Sequence, residues 1–215
     1  KSKKSKKAIK SSLYVCDMHR ANMQLSSIKE YSQIYGFEPS FVIWTQGCPI
    51  HCKGCWNTHT WDSKGGFAMD IETLFNRIKA QKDSKSLPIQ AVTILGGEPF
   101  YQYDELYKLV SLITTLDLGI IVYSGYEKDE LIEMKKDSIF SFIDVLIYGR
   151  YIESLRDLNL HLRGSSNQVI DFLSNRYNES LIKEGNYIEI DIDNFGGLDI
   201  VGYIEPTNSI ITQNL

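Results

Sequence analysis

The chain has 215 residues, of which 43% are hydrophobic and 23% are charged, and its net charge is −4 at pH 7. This length suits one domain with a substantial core, and the acidic balance argues against a general nucleic-acid-binding protein. No apolar run is long enough to predict a transmembrane helix. Segment 1–12 is basic and lacks the apolar core of a signal peptide, so we expect a disordered tail and a cytoplasmic protein.

The segment before residue 41 gives weak structural signals. Ser11–Val15 is interpreted as a short strand, and Cys16, which stands apart from the other cysteines, as an ordinary buried thiol. Met23–Ser40 shows no clear periodicity, and Gly36 and Pro39 interrupt it. No regular element is therefore predicted between residues 23 and 40.

From residue 41 onward, short apolar runs alternate with amphipathic segments. The apolar runs predict buried strands at Phe41–Thr45, Ala91–Leu95, Ile120–Tyr123 and Val145–Tyr148. The amphipathic segments predict a helix that follows Asp70 as its N-cap, a second helix over Tyr103–Ile113 and a third over Asp129–Lys136. Strands that alternate with helices in this way are typical of βαβ units and a parallel sheet.

After Gly149 the pattern changes. Arg150–Gln168 is polar and predicts a loop, and Ile170–Asn178 is interpreted as a helix. Tyr187–Ile192 and Asp199–Ile204 alternate polar and apolar residues, with turn-forming residues between them. These two segments predict a β-hairpin, antiparallel and at an edge of the fold.

Three cysteines follow the first predicted strand directly. Cys48, Cys52 and Cys55 have the spacing C-x3-C-x2-C. Three thiolates on a short loop suit a 4Fe-4S cluster whose fourth iron stays open to a small molecule. A structural zinc site is the alternative, with His51 or His59 as its fourth ligand. A secreted disulfide framework is disfavoured by the ordinary composition of the chain.

Two further motifs follow the next two predicted strands. Gly96-Gly97-Glu98-Pro99 comes after the second strand, and adjacent glycines let a ligand approach the backbone closely. Ser124 and Gly125 come after the third strand and offer a hydroxyl and an exposed backbone. Because ligands in parallel α/β folds bind at the carboxyl ends of the strands, we expect both motifs beside the cysteines. Ordinary turns are the alternative interpretation of each motif.

A three-cysteine loop followed by this glycine motif resembles the radical S-adenosylmethionine (SAM) enzymes. Four stretches, GCPIHCKGCWNTHTW, LGGEP, VYSGYE and LRGSSNQVI, resemble the anaerobic ribonucleotide reductase activating enzymes, and the similarity covers roughly residues 41–172. The resemblance implies an α/β fold, namely a partial, open (β/α) barrel, to which the predicted β-hairpin adds a C-terminal extension. The chain length predicts a single domain over residues 13–215, with a core at about 41–172, where the resemblance lies, and an extension at about 173–215.

The resemblance also implies a function. Such an enzyme reductively cleaves SAM at a 4Fe-4S cluster to a 5′-deoxyadenosyl radical and installs a glycyl radical on a partner, most simply an anaerobic ribonucleotide reductase. A low-potential electron donor such as flavodoxin would supply the electron. The residues that it assigns are Cys48, Cys52 and Cys55 as cluster ligands and Gly96, Gly97 and Glu98 beside SAM.

Some assignments stay open at this point. Ser124 and the backbone beside it either contact the ribose or the carboxylate of SAM or form a simple turn. Arg163 lies in the Arg-Gly-Ser-Ser-Asn-Gln stretch, and its planar charged fork suits a carboxylate of SAM or of the partner. The alternative is that Arg163 ties the C-terminal hairpin to the barrel. Two other functions remain, a radical SAM enzyme that modifies a peptide or a nucleotide-like small substrate, and a non-enzymatic zinc-binding interaction module.

Overall fold

The computed structural model of the protein describes residues 21–185, 187–192 and 195–202. The strands are β1 (Asn22–Ser32), β2 (Ser40–Thr45), β3 (Phe67–Asp70), β4 (Ala91–Gly96), β5 (Gly119–Ser124), β6 (Val145–Tyr148), β7 (Val169–Phe172), β8 (Ile188–Ile192) and β9 (Leu198–Gly202). The helices are α1 (Ile71–Lys82), α2 (Tyr103–Ile113) and α3 (Lys128–Glu133), and short 3-10 turns flank α2 and follow α3. The predictions for the tail 1–12, for Ser11–Val15 and for Cys16 lie outside the described residues.

Seven strands form one mixed sheet in the order β3-β1-β2-β4-β5-β6-β7. Its four central strands, β2, β4, β5 and β6, are parallel, as the alternation of strands and helices predicts. They read as continuous apolar runs because both faces of the sheet are covered. The register places Thr45 opposite Gly96 and Ser124 opposite Tyr148, so the carboxyl ends of the central strands lie along one edge.

The helices cover one face of this sheet. Their buried side chains join those of the central strands in the largest apolar cluster of the described residues. α1 begins at the predicted N-cap, where the Asp70 carboxylate accepts a hydrogen bond of 3.0 Å from the Thr73 backbone N–H. α3 ends at Glu133, earlier than predicted, because Lys135 adopts a left-handed conformation with φ of 58°.

The outer strands of the sheet are antiparallel and were not predicted. β1 pairs with β2 and β3, and β7 pairs with β6. The pairing of β1 with β2 is irregular between Leu25 and Ser27 and again between Lys29 and Ser32. Such irregularities interrupt the two-residue alternation of a strand, which explains why the sequence shows no period there.

The prediction of a helix at Ile170–Asn178 is wrong. Residues Val169–Phe172 form β7, in which Ile170 pairs with Ile147 of β6. Ile170 and Phe172 pack on the face of the sheet opposite the helices, while Asp171 accepts a hydrogen bond of 2.6 Å from Lys128. Alternating contacts of this kind are those of a strand with two different faces.

The C-terminal hairpin is confirmed in part. β8 and β9 pair antiparallel, with Ile190 opposite Ile200, but they form a separate two-stranded sheet. Its polar residues contact β1, where Lys29 donates 2.8 Å to Asp199 and Ser32 donates 2.6 Å to Glu189. The predicted continuation of the second strand to residue 204 lies outside the described residues. Within the described part of the chain, no helix has the length and apolar character needed to cross a membrane.

Candidate active site

One cavity lies at the carboxyl edge of the parallel strands. Loops that follow β2, β4, β5 and β6 all contribute to its wall. The lining includes most of the residues that the sequence singles out, namely Cys48, Cys52, Cys55, Gly96, Gly97, Glu98 and Ser124, together with Gly125, Gly149, Tyr151, Gly164 and Gln168. Side chains and backbone that are far apart in the sequence therefore face one common space.

The three cysteines of the loop after β2 are free, half-buried thiols at this cavity. Burial raises the pKa of Cys48 and of Cys52. The backbone N–H groups of Ile50 and His51 oppose this effect at Cys48, because they stabilise its thiolate. Cluster ligands are thiolates, so an iron–sulfur cluster would have to displace these protons when it binds.

Three free thiols at one cavity suit the ligand set of a cluster. Within residues 21–185, 187–192 and 195–202, no three His, Cys, Asp or Glu side chains are grouped to hold a single metal ion. The His51 ring instead stacks on Trp61, with 4.6 Å between the ring centroids. A cubane cluster binds each thiolate at a different iron, so its three ligands surround a larger volume than the ligands of one ion.

Gln46, at the start of the cysteine loop, is 2% exposed. Its side-chain amide donates hydrogen bonds to the backbone carbonyls of His59 at 3.0 Å and Asp62 at 2.7 Å. The backbone N–H of Gly47 donates 2.7 Å to the carbonyl of Thr60. These bonds hold the beginning of the loop against its end. Sequence reasoning missed Gln46, whose only signal is a polar residue directly after an apolar strand.

Gly96 and Gly97 pack directly on the start of the cysteine loop. A Cβ on Gly96, whose φ is +111°, would lie 2.5 Å from the backbone nitrogen of Thr45. A Cβ on Gly97 would lie 2.4 Å from the carbonyl oxygen of Gly47. The Gly97 N–H donates a hydrogen bond of 2.8 Å to the Thr45 carbonyl oxygen. The Glu98 N–H donates one of 2.9 Å to the Gly47 carbonyl oxygen. The two glycines therefore allow a close contact between two loops, besides lining the cavity.

Glu98 and Ser124 join the loops that follow β4 and β5. The Glu98 carboxylate is fully buried and accepts hydrogen bonds from the Phe100 N–H at 3.0 Å, the Ser124 hydroxyl at 3.1 Å and the Gly125 N–H at 2.7 Å. Burial raises the pKa of Glu98 to about 7, and these three donors oppose the increase. Because three donors from two loops bind this one buried carboxylate, Glu98 holds the loops after β4 and β5 together at the wall of the cavity.

This pKa gives the stability of the protein a defined pH dependence. Because the pKa rises from its ordinary value of 4.5 to about 7, the folded protein binds more protons than the unfolded chain between these values. The contribution of Glu98 to the free energy of unfolding is therefore full below the lower value and is lost as pH rises through the higher one. We expect Glu98→Gln to remove this slope, measured by urea unfolding of the cluster-free protein from about pH 5 to 8.

The control for this experiment is Glu72→Gln, which removes an exposed carboxyl group on α1. The control should unfold with the same pH slope as the unsubstituted protein. Equal slopes in the Glu98→Gln variant and the unsubstituted protein would contradict the raised pKa.

The stretch Arg163–Gln168 folds on itself beside the cavity. The Gln168 side chain accepts hydrogen bonds from the N–H groups of Gly164 at 2.9 Å and Ser165 at 3.2 Å, and it donates 3.0 Å to the carbonyl of Gly149. The Arg163 guanidinium donates 3.1 Å to the carbonyl of Gln168. Gly164 and Gln168 line the cavity, whereas Arg163 is not part of its lining.

The polar segment after β6 also covers the outer side of the cysteine loop. The Arg156 guanidinium lies over the Trp56 ring, 4.5 Å from its centroid. Lys53 pairs with Glu153 at 3.2 Å, an ion pair whose exposure limits its contribution to stability. The cysteine loop is thus held between this segment and the glycine motif.

Comparison with known proteins identifies relatives of this chain. The family model described as a 4Fe-4S single cluster domain matches residues 36–171. The anaerobic ribonucleoside-triphosphate reductase-activating protein of Haemophilus influenzae is 33% identical over 133 residues, which are 60% of this chain and 84% of the relative. The protein of the same name from Escherichia coli K12 is 30% identical over 136 residues, 61% of this chain and 87% of the relative.

Among solved structures, QueE from Escherichia coli aligns with 48% of this chain and 53% of its own length, at 22% identity and a TM-score of 0.40. That overlap is too limited to define a shared fold. The family match, in contrast, contains every candidate site residue named above, from Cys48 to Arg163.

Proposed function

Because this chain belongs to the 4Fe-4S single cluster domain family and to that of the anaerobic ribonucleoside-triphosphate reductase-activating proteins, we propose that it installs a glycyl radical on a partner enzyme. The partner is most simply an anaerobic ribonucleotide reductase. When bound, the reduced 4Fe-4S cluster supplies the electron that cleaves SAM to methionine and a 5′-deoxyadenosyl radical. One observation carries this proposal: three free thiols and the glycine motif line the same cavity.

Each candidate residue has a role in this proposal. Cys48, Cys52 and Cys55 hold the cluster, and three thiolates leave one iron open for SAM. The backbone of Gly96 and Gly97 lies beside SAM, where the cavity wall consists of peptide groups. Glu98 and Ser124 hold the loops around SAM in place, and their mutual hydrogen bond at 3.1 Å supports this positioning role.

For Arg163 we propose a positioning role rather than contact with a carboxylate of SAM. Its hydrogen bond to the Gln168 carbonyl supports this assignment, because Gln168 and Gly164 are the members of the stretch that reach the cavity. Arg163 would thereby fix the rim of the cavity on the side of β6.

The proposed reaction on the partner requires access for a protein loop. In that reaction a hydrogen atom would leave the α-carbon of a glycine on the partner, which would yield 5′-deoxyadenosine and a carbon-centred glycyl radical. The sheet of the described residues ends at β3 on one side and β7 on the other. We propose that it is a partial, open (β/α) barrel within a single domain over residues 13–215, with its core at about 41–172. An open side supports entry of a loop from a folded partner.

The setting of the reaction is also a proposal. We place the protein in a reducing cytoplasm, because its cluster needs free thiols and a low-potential donor such as flavodoxin. The three unpaired cysteines at the cavity support this placement.

Electron paramagnetic resonance (EPR) tests the proposed function. The reconstituted, reduced protein is mixed anaerobically with SAM and a candidate glycyl-radical enzyme. We expect a glycine-centred doublet on the partner, with 5′-deoxyadenosine formed in at least the same amount. Two matched reactions serve as controls, one without SAM and one with a partner whose radical-site glycine is replaced by alanine; neither should give the doublet.

One result would favour a different function. If SAM is cleaved but no candidate partner gives the doublet, the enzyme acts on a peptide or a nucleotide-like small substrate instead. The assignment of a glycyl-radical activase would then fail, while the assignment of the cofactors would stand.

A further inference from the structure

Three glutamines from separate parts of the chain meet beneath the cysteine loop, and we refer to Gln24, Gln46 and Gln102 as the glutamine brace. Gln24 lies on β1, and Gln46 directly follows β2. Gln102 is the last residue of the 3-10 turn that begins at Pro99. The Gln102 side-chain oxygen accepts a hydrogen bond of 2.6 Å from the Gln24 backbone N–H. Its side-chain nitrogen donates hydrogen bonds to the backbone carbonyls of Gln24 at 2.9 Å and Gln46 at 3.0 Å. The Gln46 N–H completes the set with a bond of 2.9 Å to the Gln24 carbonyl.

The brace also reaches the far end of the cysteine loop. The Gln46 amide binds the carbonyls of His59 and Asp62, and the Gln24 amide donates 2.7 Å to the carbonyl of Gly65. All three cysteines lie in the sequence between Gln46 and the carbonyls that the brace binds at the far end of the loop. Gln102 additionally follows the glycine motif, so the brace connects two of the four loops that line the cavity, those after β2 and β4.

We propose that the glutamine brace is a positioning element for the iron–sulfur cluster, because it fixes the ends of the loop that carries the three thiolates. The inference rests on the proposed function only in requiring that the cysteines bind a cluster. Groups that orient metal ligands commonly change metal affinity 10- to 100-fold when they are removed. An amide suits this position because its nitrogen donates two hydrogen bonds, and Gln46 directs both at carbonyl oxygens.

Gln46→Glu tests the brace with little change in shape. A carboxylate only accepts hydrogen bonds, so it would face the carbonyls of His59 and Asp62 without a donor. We expect iron to pass from the reconstituted protein to a chelator at least about tenfold faster than from the unsubstituted protein. The matched control is Gln90→Glu, the same substitution at an exposed residue, which should release iron at the unsubstituted rate.

A second variant separates positioning from folding. Gln102→Leu removes the bonds to Gln24 and Gln46 from a half-buried side chain and introduces no charge. We expect its cluster-free form to melt within a few degrees of the unsubstituted protein, while its reduced cluster shows an altered EPR line shape and faster iron release. A general loss of stability would lower the melting temperature of the cluster-free protein and leave the line shape unchanged.

Two results would overturn the inference. The first is that both brace variants release iron at the unsubstituted rate and show the unsubstituted EPR line shape. The other is a folded Gln102→Leu variant with normal iron release, even where Gln46→Glu fails to fold. Because neither measurement uses SAM or a partner, an unsubstituted protein that binds its cluster but forms no glycyl radical would refute the proposed function alone.

Discussion

Cys48→Ala, Cys52→Ala and Cys55→Ala are each expected to abolish the iron–sulfur cluster. The three thiols line one cavity, and a cluster held by three thiolates has no spare ligand when one of them is removed. After anaerobic reconstitution the unsubstituted protein should bind about four irons and show broad visible absorption. Each variant should lose that absorption and all SAM cleavage, measured by iron and sulfide analysis and by the yield of 5′-deoxyadenosine.

The fourth cysteine provides the control. Cys16→Ala should retain iron, sulfide and SAM cleavage, because Cys16 stands outside the three-cysteine motif. Zinc in place of iron after anaerobic reconstitution, without visible absorption, would contradict the cluster and support the zinc-binding module. Full iron in any of the three loop variants would exclude that residue as a ligand.

Gly97→Val is expected to remove both the cluster and SAM cleavage. From the sequence alone, this substitution would weaken SAM binding and leave iron unchanged, because the glycine would serve only close approach of the ligand. The structure adds a contact: a Cβ at Gly97 would lie 2.4 Å from the carbonyl oxygen of Gly47, the residue before Cys48. Backbone cannot move aside as the end of a flexible side chain can, so the cysteine loop must shift. We expect iron content to fall to a small fraction of that in the unsubstituted protein.

A second glycine at the cavity provides a graded control. A Cβ at Gly125 would meet the terminal methyl group of Ile50 at 2.7 Å, and that methyl group can rotate away. Gly125→Ala should therefore retain its iron. If Gly97→Val kept a full cluster and lost only SAM binding, close approach of the ligand would be the sole role of Gly97, and the proposed effect on the loop would be wrong.

The central strands and helices could be predicted because their burial leaves a local pattern. β2 is buried at every position, and its sequence between Ser40 and Thr45 is one apolar run, while α2 carries its buried residues at helical spacing. β1 leaves no such pattern because its pairing with β2 is irregular. The alternation of the hairpin predicts its strands but not its orientation, in which Glu189 and Asp199 contact β1 while Ile192 is 70% exposed.

The candidate site was predictable where residues follow strands. Cys48, Gly96 and Ser124 each lie at or near the carboxyl end of a parallel strand, and such ends share one edge of a sheet. The glutamine brace was not predictable, because Gln24 and Gln102 are 78 positions apart and each is a single polar residue. Hydrogen bonds between residues so far apart in the sequence depend on tertiary packing, and the local spacing of apolar residues gives no sign of them.

The contact between Gly97 and Gly47 limits how this protein can be altered by directed evolution. The glycine motif and the cysteine loop are distant in the sequence, yet a side chain added to Gly97 enters the space of the Gly47 carbonyl. Libraries that randomise one loop would therefore test the other loop at the same time. Recombination with a relative should exchange both loops from the same parent, because a crossover between them would combine backbones that were never selected to fit together.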